Sequence, residues 1–379
     1  MKKIYLDYNA TTPVAPSVLD AMQPFFLEHY GNPSSGHSFG RAAAEAIEDA
    51  RGKVASMIGC NSDEIVFTAG GTESNNLAIK GTMFKTAGNL GGHMIISSIE
   101  HYAVTEPAKF LERLGFDLTI VPCDSNGVVE PDEIKKAIRP DTMLVSIMHS
   151  NNEIGTIQPI SEIADICQES GVKFHTDASQ SCGKVPVQVD ALGVDMLTIA
   201  GHKFYGPKGI GALYVRNGTV LEPFLHGAAH ERGLRAGTEN TASIVGLGVA
   251  SKMVSHAIDD SYSKMSEMRD SLIERLRKHV DGLVVNGEAA ERLPNTLSVS
   301  FPGVSGLDML ARIPEVSAST GPACHSKSES SGTLNAMGAS LDVMRGTLRL
   351  SVGWYTNQDE IEKASSLLID AWENLHQPA

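Results

Sequence analysis

Residues 196–211 read Met-Leu-Thr-Ile-Ala-Gly-His-Lys-Phe-Tyr-Gly-Pro-Lys-Gly-Ile-Gly, a short apolar run that breaks into a histidine, a lysine and a glycine-rich turn. Similar runs occur at Ile65–Phe67, Met94–Ile96, Leu118–Val121, Met143–Ile147 and Val172–Phe174, each bounded by helical stretches or turn residues. Runs that stay apolar instead of alternating belong to strands covered on both faces. The pattern therefore predicts an α/β fold with a mostly parallel sheet between helices. Residues 39–58 supply one such helix, with Phe39, Ala43, Ile47, Ala50, Val54 and Ile58 at steps of three and four.

After a long helical stretch at about 240–280 the pattern changes, and Leu297–Phe301 and Leu348–Val352 read as strands of a smaller α+β unit closed by a helix near 358–375. At roughly 150 residues per domain, a chain of 379 residues accommodates two domains. We divide it into a large domain, 14–255, and a small domain built from 1–13 and 256–379, with the boundary inside the long helical stretch. The formal charge of -14 argues against nonspecific affinity for nucleic acid or anionic membrane, so a small-molecule substrate is expected. Met1–Tyr5 has no apolar signal region behind its lysines, and no run approaches the roughly 20 apolar residues of a membrane span. A cytoplasmic location is the expectation. The five cysteines (Cys60, Cys123, Cys167, Cys182 and Cys324) are scattered without CxxC spacing, and no pair of histidines combines i, i+4 metal spacing with a carboxylate partner. Neither a disulfide framework nor a metal site is expected.

Ligands of open α/β sheets sit beyond the carboxyl ends of the strands. The segments there are Thr68–Thr72, Ser98–His101, His149–Asn152, His175–Gln180 and Gly201–Lys203, and all are polar. A lone lysine is ordinarily a solvated surface charge. Lys203, however, follows a buried strand, where desolvation can free its amine to form a Schiff base. Asp177 ends another strand, where an acid can cap a turn or pair with a protonated ring nitrogen. Gly71 and Thr72 run from a strand into a helix, whose free N–H groups and dipole suit a phosphate.

Taken together, Lys203 in its Gly-His-Lys setting, Asp177 with Gln180, and the Thr72 turn resemble the class V aminotransferase group of fold-type I pyridoxal 5'-phosphate (PLP) enzymes. More narrowly, the chain resembles cysteine desulfurases of the NifS and IscS type and the related selenocysteine lyases. The likeness runs from Leu6-Asp7-Tyr8-Asn9-Ala10-Thr11-Thr12-Pro13 through Asn151-Asn152-Glu153-Ile154-Gly155 and His230-Glu231-Arg232 to Leu348-Arg349-Leu350-Ser351. It implies that Lys203 holds PLP, that His101 stacks on the ring as an acid/base, and that Asp177 pairs with the pyridine nitrogen. It further implies that Gln180 reaches the ring hydroxyl and that Gly71, Thr72 and His202 contact the phosphate. Thr238 would join them from a second subunit of a homodimer, while Asn152 and Arg349 would hold the substrate carboxylate. One departure is Ala200, which stands where the family often has a phosphate-binding serine.

Residues 317–333 read Ser-Ala-Ser-Thr-Gly-Pro-Ala-Cys-His-Ser-Lys-Ser-Glu-Ser-Ser-Gly-Thr, a composition that predicts an exposed, mobile loop. His325 and Lys327 favour thiolate character at Cys324. The segment resembles the desulfurase loop whose cysteine becomes a persulfide. The implied reaction converts L-cysteine to L-alanine with sulfur transfer to Cys324. Selenocysteine lyase is the alternative, because Ala323-Cys324-His325-Ser326 and Gly237-Thr238-Glu239-Asn240-Thr241 look more like that group. A simple aminotransferase has no use for the thiol, and a noncatalytic scaffold has no use for the lysine. The acceptor stays open among an iron–sulfur cluster scaffold, a tRNA or DNA thiolation protein, and a selenium pathway.

Overall fold

The computed structural model describes residues 3–86, 91–320 and 331–376, so Cys324 and most of its predicted loop lie outside the described residues. The strands in chain order are β1 (Ile4–Tyr5), β2 (Ile65–Thr68), β3 (His93–Ser97), β4 (Asp117–Val121), β5 (Thr142–Ser146) and β6 (Lys173–Asp177). They continue with β7 (Met196–Ala200), β8 (Gly211–Val215), β9 (Val284–Val285), β10 (Thr296–Ser300), β11 (Val316–Ser317) and β12 (Thr347–Ser351).

The apolar runs form a seven-stranded sheet in the order β2-β8-β7-β6-β5-β3-β4. Side chains alternate across it, because successive residues of a strand point to opposite faces. Ile65, Phe67, Ile95, Val145, Phe174, Leu197 and Ile199 pack into one core with the helices Ser38–Ile58 and Thr241–His256. Val66, Met94, Ile96, Leu144 and Met196 pack into another with Gly71–Thr86 and Tyr102–Arg113. Polar strand residues are satisfied sideways. His175 bonds Ser146 Oγ at 2.8 Å and Thr198 Oγ1 at 3.0 Å on the two neighbouring strands.

β3 to β7 are mutually parallel, whereas β8 is antiparallel to both β7 and β2. Sequence reading missed β8 because it follows the glycine-rich turn directly. A connection that short cannot cross over the sheet, so the next strand must run back alongside β7. Gly211 sits at that junction, where a Cβ would lie 2.5 Å from the Ile199 carbonyl oxygen.

Two further expectations change. Phe39 does not join the helix stripe; it is 50% exposed on the first turn, with its ring 5.7 Å from that of Tyr30. The stretch at 240–280 is two helices, Thr241–His256 and Ile258–His279, meeting at a 75° bend. The first is largely buried, whereas the second is amphipathic and packs on Gln358–His376, so the chain turns where its burial pattern changes. A third core gathers Ile4, Leu6, Leu272, Leu276, Val299, Phe301, Leu348, Leu350, Leu368 and Trp372 around β10 and β12. Among the described residues, no single helix is long and apolar enough to cross a membrane.

Candidate active site

The carboxyl ends of the strands open into a cavity of about 330 Å³, within the range of small-molecule sites. Its wall brings together Gly71, Thr72, His101, Asn152, Asp177, Gln180, His202, Lys203 and Arg349. A wider, more open depression of about 850 Å³ shares Ala10, Gly71, Thr72 and His202 with it. Thr238 lines neither; it is exposed on its own chain.

Lys203 closes a single 3-10 turn, Gly201–Lys203, directly after β7. Its Nζ donates to the carbonyl oxygens of Asn9 at 2.8 Å and Ala10 at 3.0 Å. The N-terminal segment straps this turn from outside. Thr12 donates through its N–H and its hydroxyl to the His202 carbonyl, and its Oγ1 accepts from the Tyr205 N–H at 2.7 Å. Tyr205 has φ +68°, a conformation costing a non-glycine residue roughly 1–3 kcal/mol. The strap holds that strained backbone in place, as do the Trp354 ring 4.6 Å away and the Trp354 N–H, which donates to the Tyr205 hydroxyl.

Asp177 ends β6 with both oxygens engaged: Oδ1 accepts from the Ser179 N–H at 2.9 Å and Oδ2 from Asn75 Nδ2 at 2.7 Å. It thus serves as a turn cap and also faces the cavity. Asn75 is a residue that sequence reading did not single out, and its Oδ1 is buried without a hydrogen-bond partner. The helix Gly71–Thr86 begins at the cavity, and a first helical turn leaves N–H groups without intrahelical partners. A Cβ on Gly71 would come 3.0 Å from Ser179 Oγ and 3.3 Å from the methyl of Ala200, so glycine and alanine together keep this corner narrow.

His101 caps the helix Tyr102–Arg113, its Nδ1 accepting from the Ala103 N–H at 3.1 Å, and its ring opens on the cavity. Burial and then the Lys203 charge lower its pKa against the opposing pull of Asp177, which favours the neutral imidazole. His202 is brought down to about 4, by burial first and then by Lys203, Lys208 and Lys184. Glu100, beside His101, is pushed up to about 8 by burial, although Ser97 Oγ and the Met148 N–H donate to its Oε1. A carboxyl group with that pKa is largely protonated at neutral pH.

The opposite wall comes from the smaller sheet. Arg349 in β12 is 3% exposed, donates to Asp7 Oδ1 at 2.7 Å and to the Asn152 carbonyl at 3.1 Å, and has its buried Nε without a partner. Glu153 accepts from Ser331 and Thr333 hydroxyls, tying residues just after the Cys324 segment to the cavity rim. Among the described residues, no group of three or more His, Cys, Asp or Glu is arranged to hold a metal ion.

Thr238 belongs to a segment anchored next to the helix start. Arg51 and Glu231 form a buried ion pair at 2.8 Å, Glu231 also accepts from the Phe67 N–H of β2, and Arg235 donates to Glu73 at 3.0 Å. Glu231 and Arg232 both take positive φ in this segment.

The family model described as Aminotransferase class-V matches residues 4–364. A "Cysteine desulfurase IscS" of Dictyoglomus turgidum is 48% identical over 97% of this chain and 94% of its own length. One of the same name from Methanosarcina thermophila is 45% identical over 99% of this chain and 93% of its own. Among solved structures, a "NIFS-LIKE PROTEIN" superposes with TM-score 0.90 at 37% identity, covering 99% of both chains. "SspA in complex with cysteine" superposes with TM-score 0.84 at 40% identity, covering 93% of this chain and 100% of that one. The cavity wall fits the cofactor of such proteins: a helix start with a glycine cradle suits a phosphate, an acid suits a pyridinium, and a lysine amine suits an aldehyde. By matched sequence, by fold and by the chemistry of this wall, the chain belongs to the PLP-dependent class-V aminotransferase family.

Proposed function

We infer that this protein is a PLP-dependent cysteine desulfurase that converts L-cysteine to L-alanine and takes the sulfur onto Cys324 as a persulfide. The observation that carries the reading is the shared wall of Lys203, His101, Asp177 and Arg349, in a chain 48% identical to a cysteine desulfurase. PLP, when bound, supplies an electron sink that weakens the bonds at the substrate's Cα and Cβ. Lys203 holds it, Asp177 keeps its ring nitrogen protonated, and Gly71, Thr72 and His202 take the phosphate. Asn152 and Arg349 orient the substrate carboxylate. Lys203 or the neutral His101 moves the Cα proton.

The thiolate of Cys324 attacks the substrate sulfur and the carbon–sulfur bond breaks. Of the two S–H hydrogens that enter, one stays on the persulfide and the other ends in the methyl group of alanine, so no external oxidant or reductant is needed. Selenocysteine can enter the same cavity, but the relatives' names and the cysteine-bound structure favour cysteine.

A homodimer suits the site, with Thr238 reaching the partner's phosphate cradle. Its exposure, its anchored segment and the exposed Phe26, Leu27, Tyr30 and Phe39 support that arrangement. The division into 14–255 and 1–13 with 256–379 accords with the separate cores around the two main sheets. Cys60, Cys123, Cys167 and Cys182 are free thiols, which supports the reducing cytoplasm as the location. Measuring alanine, sulfide and keto acid released from L-cysteine and L-selenocysteine by the cofactor-loaded protein, with a thiol reductant added to release the persulfide sulfur as sulfide, tests the reading. Alanine with stoichiometric sulfur is expected, and a keto acid in place of alanine would replace it with transamination.

A further inference from the structure

Lys184 has no part in the chemistry above, yet it is buried to 4% exposure behind the cavity wall. Its Nζ donates to Gln180 Oε1 at 2.7 Å and to Asn9 Oδ1 at 3.3 Å. Both partners are amide oxygens. Burial, then the charges of Lys203 and Arg349, hold Lys184 well below the ordinary lysine range. A buried amine facing only neutral acceptors gives little net stability, and an apolar side chain of similar length would cost less to bury. Stability alone therefore gives no reason for a lysine here.

The geometry of Gln180 gives one. Its Nε2 donates to the backbone carbonyl of Asn9 at 2.9 Å, while its Oε1 faces Lys184. A backbone carbonyl can only accept, and this lysine meets only acceptors. Reversing the amide would set donor against donor and acceptor against acceptor, so its orientation is determined by groups that cannot themselves be flipped. Gln180 has a second N–H, and its side chain lines the cavity.

We propose that Lys184 is a positioning residue that fixes the amide of Gln180, so that the cavity meets an N–H donor suited to the anionic ring oxygen of PLP. The role rests on the PLP reading given above. Lys184 acts through Gln180 and touches neither cofactor nor substrate.

The test is a double-mutant cycle on the full-length protein, read by PLP dissociation constant and by the pH midpoint of the visible cofactor band. Lys184→Met is expected to weaken PLP about three- to tenfold, the worth of one hydrogen bond. It should also move the midpoint upward, because a ring oxygen without its donor holds a neighbouring proton more tightly. In a Gln180→Ala background the same change should add nothing to either readout. Lys184→Arg, which keeps only donors, should restore the midpoint and covers the case in which the methionine variant does not fold. An unmoved midpoint in folded Lys184→Met, effects that multiply with Gln180→Ala, or Lys184→Arg with a midpoint unlike wild type would each overturn the role. A wild-type protein without any visible PLP band would instead refute the cofactor reading beneath it.

Discussion

On the sheet side of the cavity, Thr72, His101, Asp177 and Lys203 each stand at or just beyond the end of a strand, so local chain order delivers them to the rim. Arg349 on the opposite side lies in the middle of β12, and reaches the cavity because β12 pairs with β10 and because Asp7 and the Asn152 carbonyl turn its guanidinium inward. The first wall is a consequence of topology, since parallel strands collect their carboxyl ends at one edge. The second depends on contacts between residues hundreds of positions apart. In the function proposed above, chemistry at the cofactor falls to the first wall and substrate orientation to the second.

The largest expected break in that division is Lys203→Ala. Activity should fall to background and the covalent visible PLP band should be lost; a retained band at its wild-type wavelength would contradict the assignment. Cys324→Ala comes next, with alanine release from cysteine lost while the band is kept. Normal alanine release in that variant would remove Cys324 from the reaction. On the other wall, Arg349→Ala should raise KM for cysteine about 10- to 100-fold, the worth of charge-assisted hydrogen bonds, with the cofactor band unchanged. An effect on kcat alone would move Arg349 from substrate binding to the chemical step.

The smallest effect is one of stability. Glu100 has its pKa pushed up to about 8 by burial, against an ordinary value near 4.3. Its raised pKa means that its contribution to stability is full below about pH 4 and is lost as pH rises through about 8. Glu100→Gln stays uncharged, so its advantage over wild type should grow with pH, reaching roughly 2–4 kcal/mol above pH 8. His149 and His202, lowered to about 4 by burial, act in the opposite sense at low pH and are common to both proteins. A melting-temperature difference that is flat between about pH 5 and 8.5 would show that Glu100 ionises freely in the folded state.

Much of this was legible in the chain itself. Apolar runs located β2 to β7, and the polar residues after them supplied most of the first wall. β8 escaped because a glycine-rich turn hides the strand behind it, and Phe39 was misassigned because a helix's first turn need not face the core. Asn9, Asn75, Glu100 and Lys184 carried no signal of their own. An asparagine in a polar run or a lysine four residues after a glutamine reads as solvated surface until burial is known.

Sequence alone determined the α/β order, the strand-end lysine and acid, and the family, because hydrophobic periodicity and ordered motifs are properties of neighbouring residues. Tertiary structure decided which way each polar group faces. The strap of Thr12 over the Lys203 turn, the inward guanidinium of Arg349 and the donation of the Gln180 amide to the Asn9 carbonyl are long-range pairings, with Lys184 holding that amide from four residues along the chain. Hydrogen bonds of that kind are directional and form only once folding has removed the water that would otherwise satisfy them.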